Sequence, residues 1–186
     1  MNTQQYYPAQ HLRYGQLMCT MQRLWIEHVL WTRAFIIGTA FNLPDLKYTT
    51  NRLLRNPTDF ANVLQPLYGG STARRFEELF KDHLLIAAQL VNAAKAGDAQ
   101  SAAQQRNKWY ANADDIAIFL AGINPYWNVE AWRALLYDHL EMTENEATQI
   151  LQGQYEASIT QYDAIQAEAI QMAQEMAKGI ARQFRA

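Results

Sequence analysis

Three histidines that share one local context constrain this chain more than any other feature. Leu24-Trp25-Ile26-Glu27-His28-Val29, Leu79-Phe80-Lys81-Asp82-His83-Leu84 and Leu135-Leu136-Tyr137-Asp138-His139-Leu140 each read leucine, bulky apolar, any residue, acid, histidine, apolar. The histidines lie 55 and 56 residues apart, and each stands fourteen positions before Asn42, Gly97 or Gly153. Those are residues that tolerate the left-handed backbone with which helices end. A period of this length fits one helix running out to a stop and a second returning. The spacing predicts three consecutive αα-hairpins over about residues 15–70, 71–127 and 128–184. The returning arms carry a weaker echo: Asn56-Pro57-Thr58-Asp59-Phe60-Ala61 aligns with Asn112-Ala113-Asp114-Asp115-Ile116-Ala117, and 56 positions further on Glu168 takes the place of Asn112.

Periodicity and punctuation point to an all-α chain. Leu17, Met21, Leu24, His28, Trp31, Phe35 and Thr39 fall near one helical stripe, where a strand would need strict alternation. Ser71 or Thr72 is expected to cap the next helix, Asp98 the one after, and Asn128 another. Asn56-Pro57 should split the first returning arm, because proline disfavours the helical conformation of the residue before it. Thr143-Glu144-Asn145-Glu146 has the form of a capping box, which predicts that the helix carrying His139 ends near Glu141 and restarts at Thr143. The last helix should run from about Gln154 to Phe184. Eight glycines and five prolines in 186 residues leave little material for the turns of a β-sandwich or the loops of an α/β nucleotide enzyme. About six main helices in one domain over 15–186, as a compact bundle or short solenoid, are expected, with residues 1–14 as a flexible arm.

Antiparallel helices both rise about 1.5 Å per residue, so a residue roughly fourteen places before a turn lies level with one roughly fourteen to eighteen after it. This sets His28 beside Asn56 or Asp59, His83 beside Asn112 or Asp115, and His139 beside Glu168. The positions three and four before each histidine belong to the apolar stripe, so the rings should point inward. A buried imidazole without a hydrogen-bond partner costs roughly 1–3 kcal/mol, and an opposing Asn, Asp or Glu supplies one. Such a link can simply fix helix register, its commoner use. It can also hold one ring nitrogen while the other binds a metal or polarises a ligand. A single divalent metal held by His28, His83 and a carboxylate such as Asp59 or Asp115 would require adjacent hairpins to meet. An enzymatic version has His28 or His83 as general base against Asp59 or Asp115. Glu27, Asp82 and Asp138 sit about 100° around the helix from the histidines and should face solvent or basic partners. Arg33, inside a very apolar helix, calls for a carboxylate, an anionic ligand or a snorkelled exit to solvent. The tryptophans, Trp109 among them, are expected to fill the core for the most part.

Several chemistries lack their signatures. No Glu-x-x-His precedes a histidine and no His-Glu-x-x-His occurs, which disfavours dinuclear carboxylate and zinc-protease sites. There is no Gly-x-Ser-x-Gly elbow and no phosphate-cradling loop. With 16 Lys plus Arg against 18 Asp plus Glu the surface field is weak, so nucleic acid is not an expected partner. No apolar run reaches the roughly 18 residues of a membrane span. The lone Cys19 and the lack of a charged-then-apolar leader predict a cytoplasmic protein. A homo-oligomer and a small ligand remain as candidate partners.

At Trp31-Thr32-Arg33, Asn51-Arg52-Leu53-Leu54-Arg55-Asn56-Pro57 and Trp109-Tyr110-Ala111-Asn112-Ala113-Asp114-Asp115-Ile116-Ala117 the chain resembles a small bacterial all-helical family, some of whose members carry an acetylglutamate kinase label. The resemblance spans about Leu17 to Phe184 and implies a helical fold, with no mechanism attached to its motifs. Kinases of that name are α/β proteins with glycine-rich loops, and neither strands nor such loops are encoded here, so kinase activity is not expected. The residues themselves lead to a helical-bundle protein in which His28, His83, His139, Asn56, Asn112, Asp59, Asp115, Glu168 and Arg33 form a pocket for a divalent metal or small ligand. The alternative is a scaffold, a structural or protein-interaction bundle that could pair as a homodimer, in which the same residues only set register.

Overall fold

Local punctuation decides where the helices stop. The structure, a computed structural model, describes residues 14–184, and these form seven helices: α1 (Tyr14–Phe41), α2 (Leu46–Leu53), α3 (Asn56–Tyr68), α4 (Gly70–Ala96), α5 (Ala99–Ile123), α6 (Val129–Leu151) and α7 (Tyr155–Phe184). No strand occurs among the described residues. The arm expected over 1–14 lies outside the described residues except for Tyr14, which opens α1. All three expected stops take the left-handed conformation, Asn42 at φ 54°, Gly97 at 71° and Gly153 at 76°. Asp98 and Asn128 cap as expected: Ser101 N–H donates to Asp98 Oδ1 and Ala131 N–H to Asn128 Oδ1, each at 3.0 Å. Asn56-Pro57 begins α3 and separates it from α2, so six main helices become seven by one break in the first returning arm.

Two local expectations need correction. Helix α4 begins at Gly70, ahead of Ser71 and Thr72, behind Gly69 at φ 83°, with no side-chain cap. Glycine supplies the entry conformation itself. Helix α6 runs unbroken through Thr143-Glu144-Asn145-Glu146. Thr143 and Glu146 lie on its buried stripe, and Glu146 is paired with Arg33 of α1, so neither is free to cap a new helix start.

The helices pair as three hairpins: α1 with α2 and α3, α4 with α5, and α6 with α7. Each returning arm also fills the groove beside the next outgoing one, α3 against α4 and α5 against α6, while α7 seats on α1. That last contact closes the ring into a compact bundle and rules out an open solenoid. The outgoing helices α1, α4 and α6 meet along the middle. Their buried residues recur at the hairpin spacing: Met21, Phe76 and Trp132, then Trp25, Phe80 and Leu136, then the three histidines, then Val29, Leu84 and Leu140. At roughly 1.5–3 kcal/mol for each large side chain removed from water, these layers are the main source of cohesion around the axis. No described helix is long and apolar enough to cross a membrane.

Candidate functional site

The axis of the bundle brings His28, His83 and His139 together. Their ring centroids are 5.5 Å apart for His28 and His139, 6.3 Å for His28 and His83, and 6.5 Å for His83 and His139. One nitrogen of each lies within 4.8 Å of those of the other two. All three residues are only 1–2% exposed. Trp25 and Phe80 surround the cluster: the Phe80 ring stacks on His28 at 4.8 Å, and Trp25 meets His28 edge-on at 5.7 Å.

Hydrogen bonds fix which nitrogen of His83 carries the proton. Asn112 Nδ2 donates to the Leu79 carbonyl at 3.0 Å, which turns the amide oxygen toward His83, where Oδ1 lies 3.0 Å from Nδ1. An amide oxygen only accepts, so Nδ1 bears the hydrogen and Nε2 the lone pair. Consistently, Trp109 Nε1–H donates to that Nε2 at 3.2 Å. In the first hairpin Asn56 Nδ2 makes the matching bond to the Leu24 carbonyl at 3.0 Å. Its Oδ1 and His28 Nδ1 are nonetheless both buried without a well-formed bond, although Asn56 is the amide acting on that ring. In the third hairpin His139 Nδ1 lies 3.1 Å from Glu168 Oε2. Glu168 Oε1 corresponds to the amide nitrogen of the two asparagines, and it is buried without a hydrogen-bond partner among the described residues.

Burial keeps His28 and His83 neutral. Loss of hydration, then the neighbouring His139 and His83 rings, hold His28 well below the usual imidazole range, with Asn56 opposing. Desolvation, followed by His139, lowers His83 to about 3, with Asn112 opposing. Neutral imidazoles are the form that binds metals.

The other expected residues go elsewhere. Asp59 and Asp115 do not join the cluster, which corrects their candidacy both as ligands and as partners of a general base. Residues 56, 57, 60, 61 and 64 of α3, and their counterparts 112, 113, 116, 117 and 120 of α5, form the buried stripe. An acid three places after the asparagine falls about 130° from the middle of that stripe. Asp59 instead meets Arg55 at 3.4 Å and Arg52 at 3.8 Å, and Asp115 is exposed. The third imidazole stands where a carboxylate ligand was expected. Arg33 is not a ligand-facing group either. It pairs with Glu146, donates to the Ser158 carbonyl at 3.1 Å and lies over the Tyr162 ring at 5.0 Å. Glu146 is buried, and desolvation raises its pKa against the opposing pull of Arg33. The acids beside the histidines behave as expected: Glu27 pairs with Arg23 at 3.0 Å and Arg52 at 2.9 Å, while Asp82 and Asp138 are exposed.

Sequence reasoning missed two features. It put all three histidines in one pocket but built the metal site from His28, His83 and a carboxylate, and did not foresee His139 as the third close ring. Their shared register was the available signal, since equivalent positions on three helices around one axis converge. It also missed that Trp109 closes His83 Nε2, for which only the buried indole N–H gave a hint. Comparison with protein-family models, with curated proteins and with solved structures found no match in any of the three.

Proposed function

We propose that this protein binds one divalent first-row transition metal through the Nε2 atoms of His28, His83 and His139. The observation that carries the reading is the mutual approach of three buried imidazoles, with one nitrogen of each within 4.8 Å of the others. A register-setting histidine needs only its own partner and has no reason to bring a ring nitrogen within 4.8 Å of two others. Imidazole donors suit zinc, iron, nickel and copper, and three such ligands leave a fourth position open. Metal–nitrogen distances of about 2.0–2.1 Å place tetrahedral ligand nitrogens about 3.4 Å apart, so the rings must draw together by about an ångström. Asn112 and Glu168 already hold the Nδ1 side of their rings, as second partners do in histidine metal sites. Glu168 adds a carboxylate directly on a ring of the cluster, which helps balance a dication.

The same reading takes the three hairpins as copies of one unit, supported by buried positions that recur at the histidine spacing. It keeps a cytoplasmic setting, in which an exposed lone Cys19 stays reduced, and the resemblance to a small bacterial helical family. One observation favours the scaffold reading: both nitrogens of His83 are already satisfied, by Asn112 and Trp109. A metal must displace the indole to bind there.

Metal content of the purified full-length protein, before and after zinc addition and dialysis, separates the two. One tightly held equivalent, lost in His28→Gln, His83→Gln and His139→Gln while the variants remain folded, is expected. No retained metal in the folded wild-type protein, with the variants differing only in melting temperature, would leave the scaffold.

A further inference from the structure

One turn beyond the histidines the inner helices carry small side chains. Thr32, Ala87 and Thr143 stand four positions after His28, His83 and His139, and beside them opens a cavity of about 70 Å³. Phe35, Ile36, Leu84, Val91 and Ala147 supply apolar wall, and Trp109 forms part of the lining. The same Trp109 indole donates to His83 Nε2, so one side chain touches both the cavity and the histidine cluster. At the far end, Ala94 and Thr148 are shared with an outer recess lined by Lys95, Leu151 and Gln152, at the C-terminal ends of α4 and α6. Lys95 is held at that mouth by donating to the Thr39 carbonyl at 2.5 Å and to Asn42 Oδ1 at 2.6 Å, and it does not line the inner cavity.

We propose that this cavity admits a small neutral molecule of about two or three heavy atoms and leads it to the histidine cluster, a substrate-class inference that rests on the metal reading for what the molecule meets there. Size sets the first limit. A dry apolar cavity of roughly 150 Å³ accommodates benzene, and this one is about half as large. Polarity sets the second. The charged wall residue, Glu144, is already engaged by Arg106 at 2.9 Å, so an anion would lose its hydration without gaining a counter-ion. Thr143 Oγ1 is buried and without a hydrogen-bond partner among the described residues, which leaves one hydroxyl to orient a weakly polar guest. Molecules with the size and polarity of dioxygen, nitric oxide or carbon dioxide satisfy both limits. Trp109 is the last side chain they would pass, and metal binding at His83 Nε2 would already have freed its N–H.

Xenon is the probe that tests this, because it reports a small apolar site without any chemistry. In the full-length, metal-free protein, saturable xenon binding should shift the methyl signals of Ala87, Thr143 and Ala147. Ala87→Leu, which fills the cavity, should weaken binding at least tenfold without changing zinc content. Thr143→Val keeps the side-chain shape and should hold xenon at least as tightly, so the test survives if Ala87→Leu does not fold. Bound xenon should relax faster in Co(II)-loaded than in zinc-loaded protein. Xenon that fails to bind the folded wild-type protein, binds Ala87→Leu equally, or relaxes alike beside both metals overturns the proposal. Failure of the metal reading shows separately, as absent metal uptake measured before xenon is admitted. Xenon shifts in the metal-free sample still decide whether the cavity takes a small neutral guest.

Discussion

Glu168 stands where the other hairpins place an asparagine, and the exchange alters what the third histidine can do. Asn56 and Asn112 each spend their amide nitrogen on a carbonyl of the facing helix, whereas Glu168 Oε1 has nothing to donate and no partner. A buried carboxylate in that place is a poor choice for stability and a good one for a metal-bound imidazole. Glu168→Gln should therefore lower zinc affinity about 10- to 100-fold, the usual cost of losing a supporting partner, while the metal-free protein melts at the same or a higher temperature. Chelator competition and thermal melts read the two effects; unchanged affinity would detach the carboxylate from metal binding. Trp109→Phe tests the opposite sign. On the metal reading its indole would compete with metal for His83 Nε2, and a hydrogen bond nets about 0.5–1.5 kcal/mol, so removing it should tighten zinc about three- to tenfold. A pure scaffold would show only a lower melting temperature. At this scale the sequence spoke clearly about Asn112 and Glu168, because hairpin arithmetic places residues to within about a turn. It could not choose between Asn112 and Asp115 until the phase of the buried stripe was known.

Elements obey the sequence wherever their signals are local and escape it wherever a distant partner intervenes. Asn42, Gly97 and Gly153 end their helices because the left-handed backbone is a property of those residues themselves. The box at Thr143 fails because Glu146, 113 residues from Arg33 in the chain, is recruited to cancel a buried charge. Helix α6 then continues to present Glu146, Ala147 and Ile150 to the core. Glu146→Gln should cost about 1–3 kcal/mol, since it leaves a part-buried guanidinium without its counter-charge, and the double variant Arg33→Met with Glu146→Met should recover most of that. Urea unfolding midpoints measure both; additive losses would mean that the two side chains do not depend on each other. A glycine sets another element-level constraint. Trp127 lies directly against Gly179 of α7, with its Nε1 donating to the Glu175 carbonyl at 3.1 Å, and a Cβ on Gly179 would overlap the indole ring. Gly179→Ala should destabilise by about 1–3 kcal/mol, as overpacking does, and the same unfolding curves would show it.

The closing of three hairpins into one ring was the part least legible in the chain. Periodicity fixes which face of a helix is buried, but the angle at which one hairpin meets the next depends on side-chain volumes that interlock only in the assembled core. Hence the inward direction of each imidazole and a shared pocket could be read from the sequence, and the close approach of all three rings on one axis could not. That convergence makes acid stability a property of the whole bundle. Unfolded imidazoles take up protons near pH 6.5, while burial holds His83 at about 3 and His28 well below its ordinary value. Between those limits the unfolded state binds more protons, so the metal-free protein should lose stability as pH falls, by about 1.4 kcal/mol per pH unit for each such ring. The contribution is fully present above the unfolded value and flattens for His83 as pH approaches about 3. Urea midpoints at a series of pH values from about 8 to 5 should stay level at the top of that range and then fall. The fall should be shallower in His83→Gln, which removes one of the two proton acceptors. A wild-type profile that stays flat down to pH 5 would mean that the rings reach solvent, and the sealed cluster on which metal binding rests would not exist.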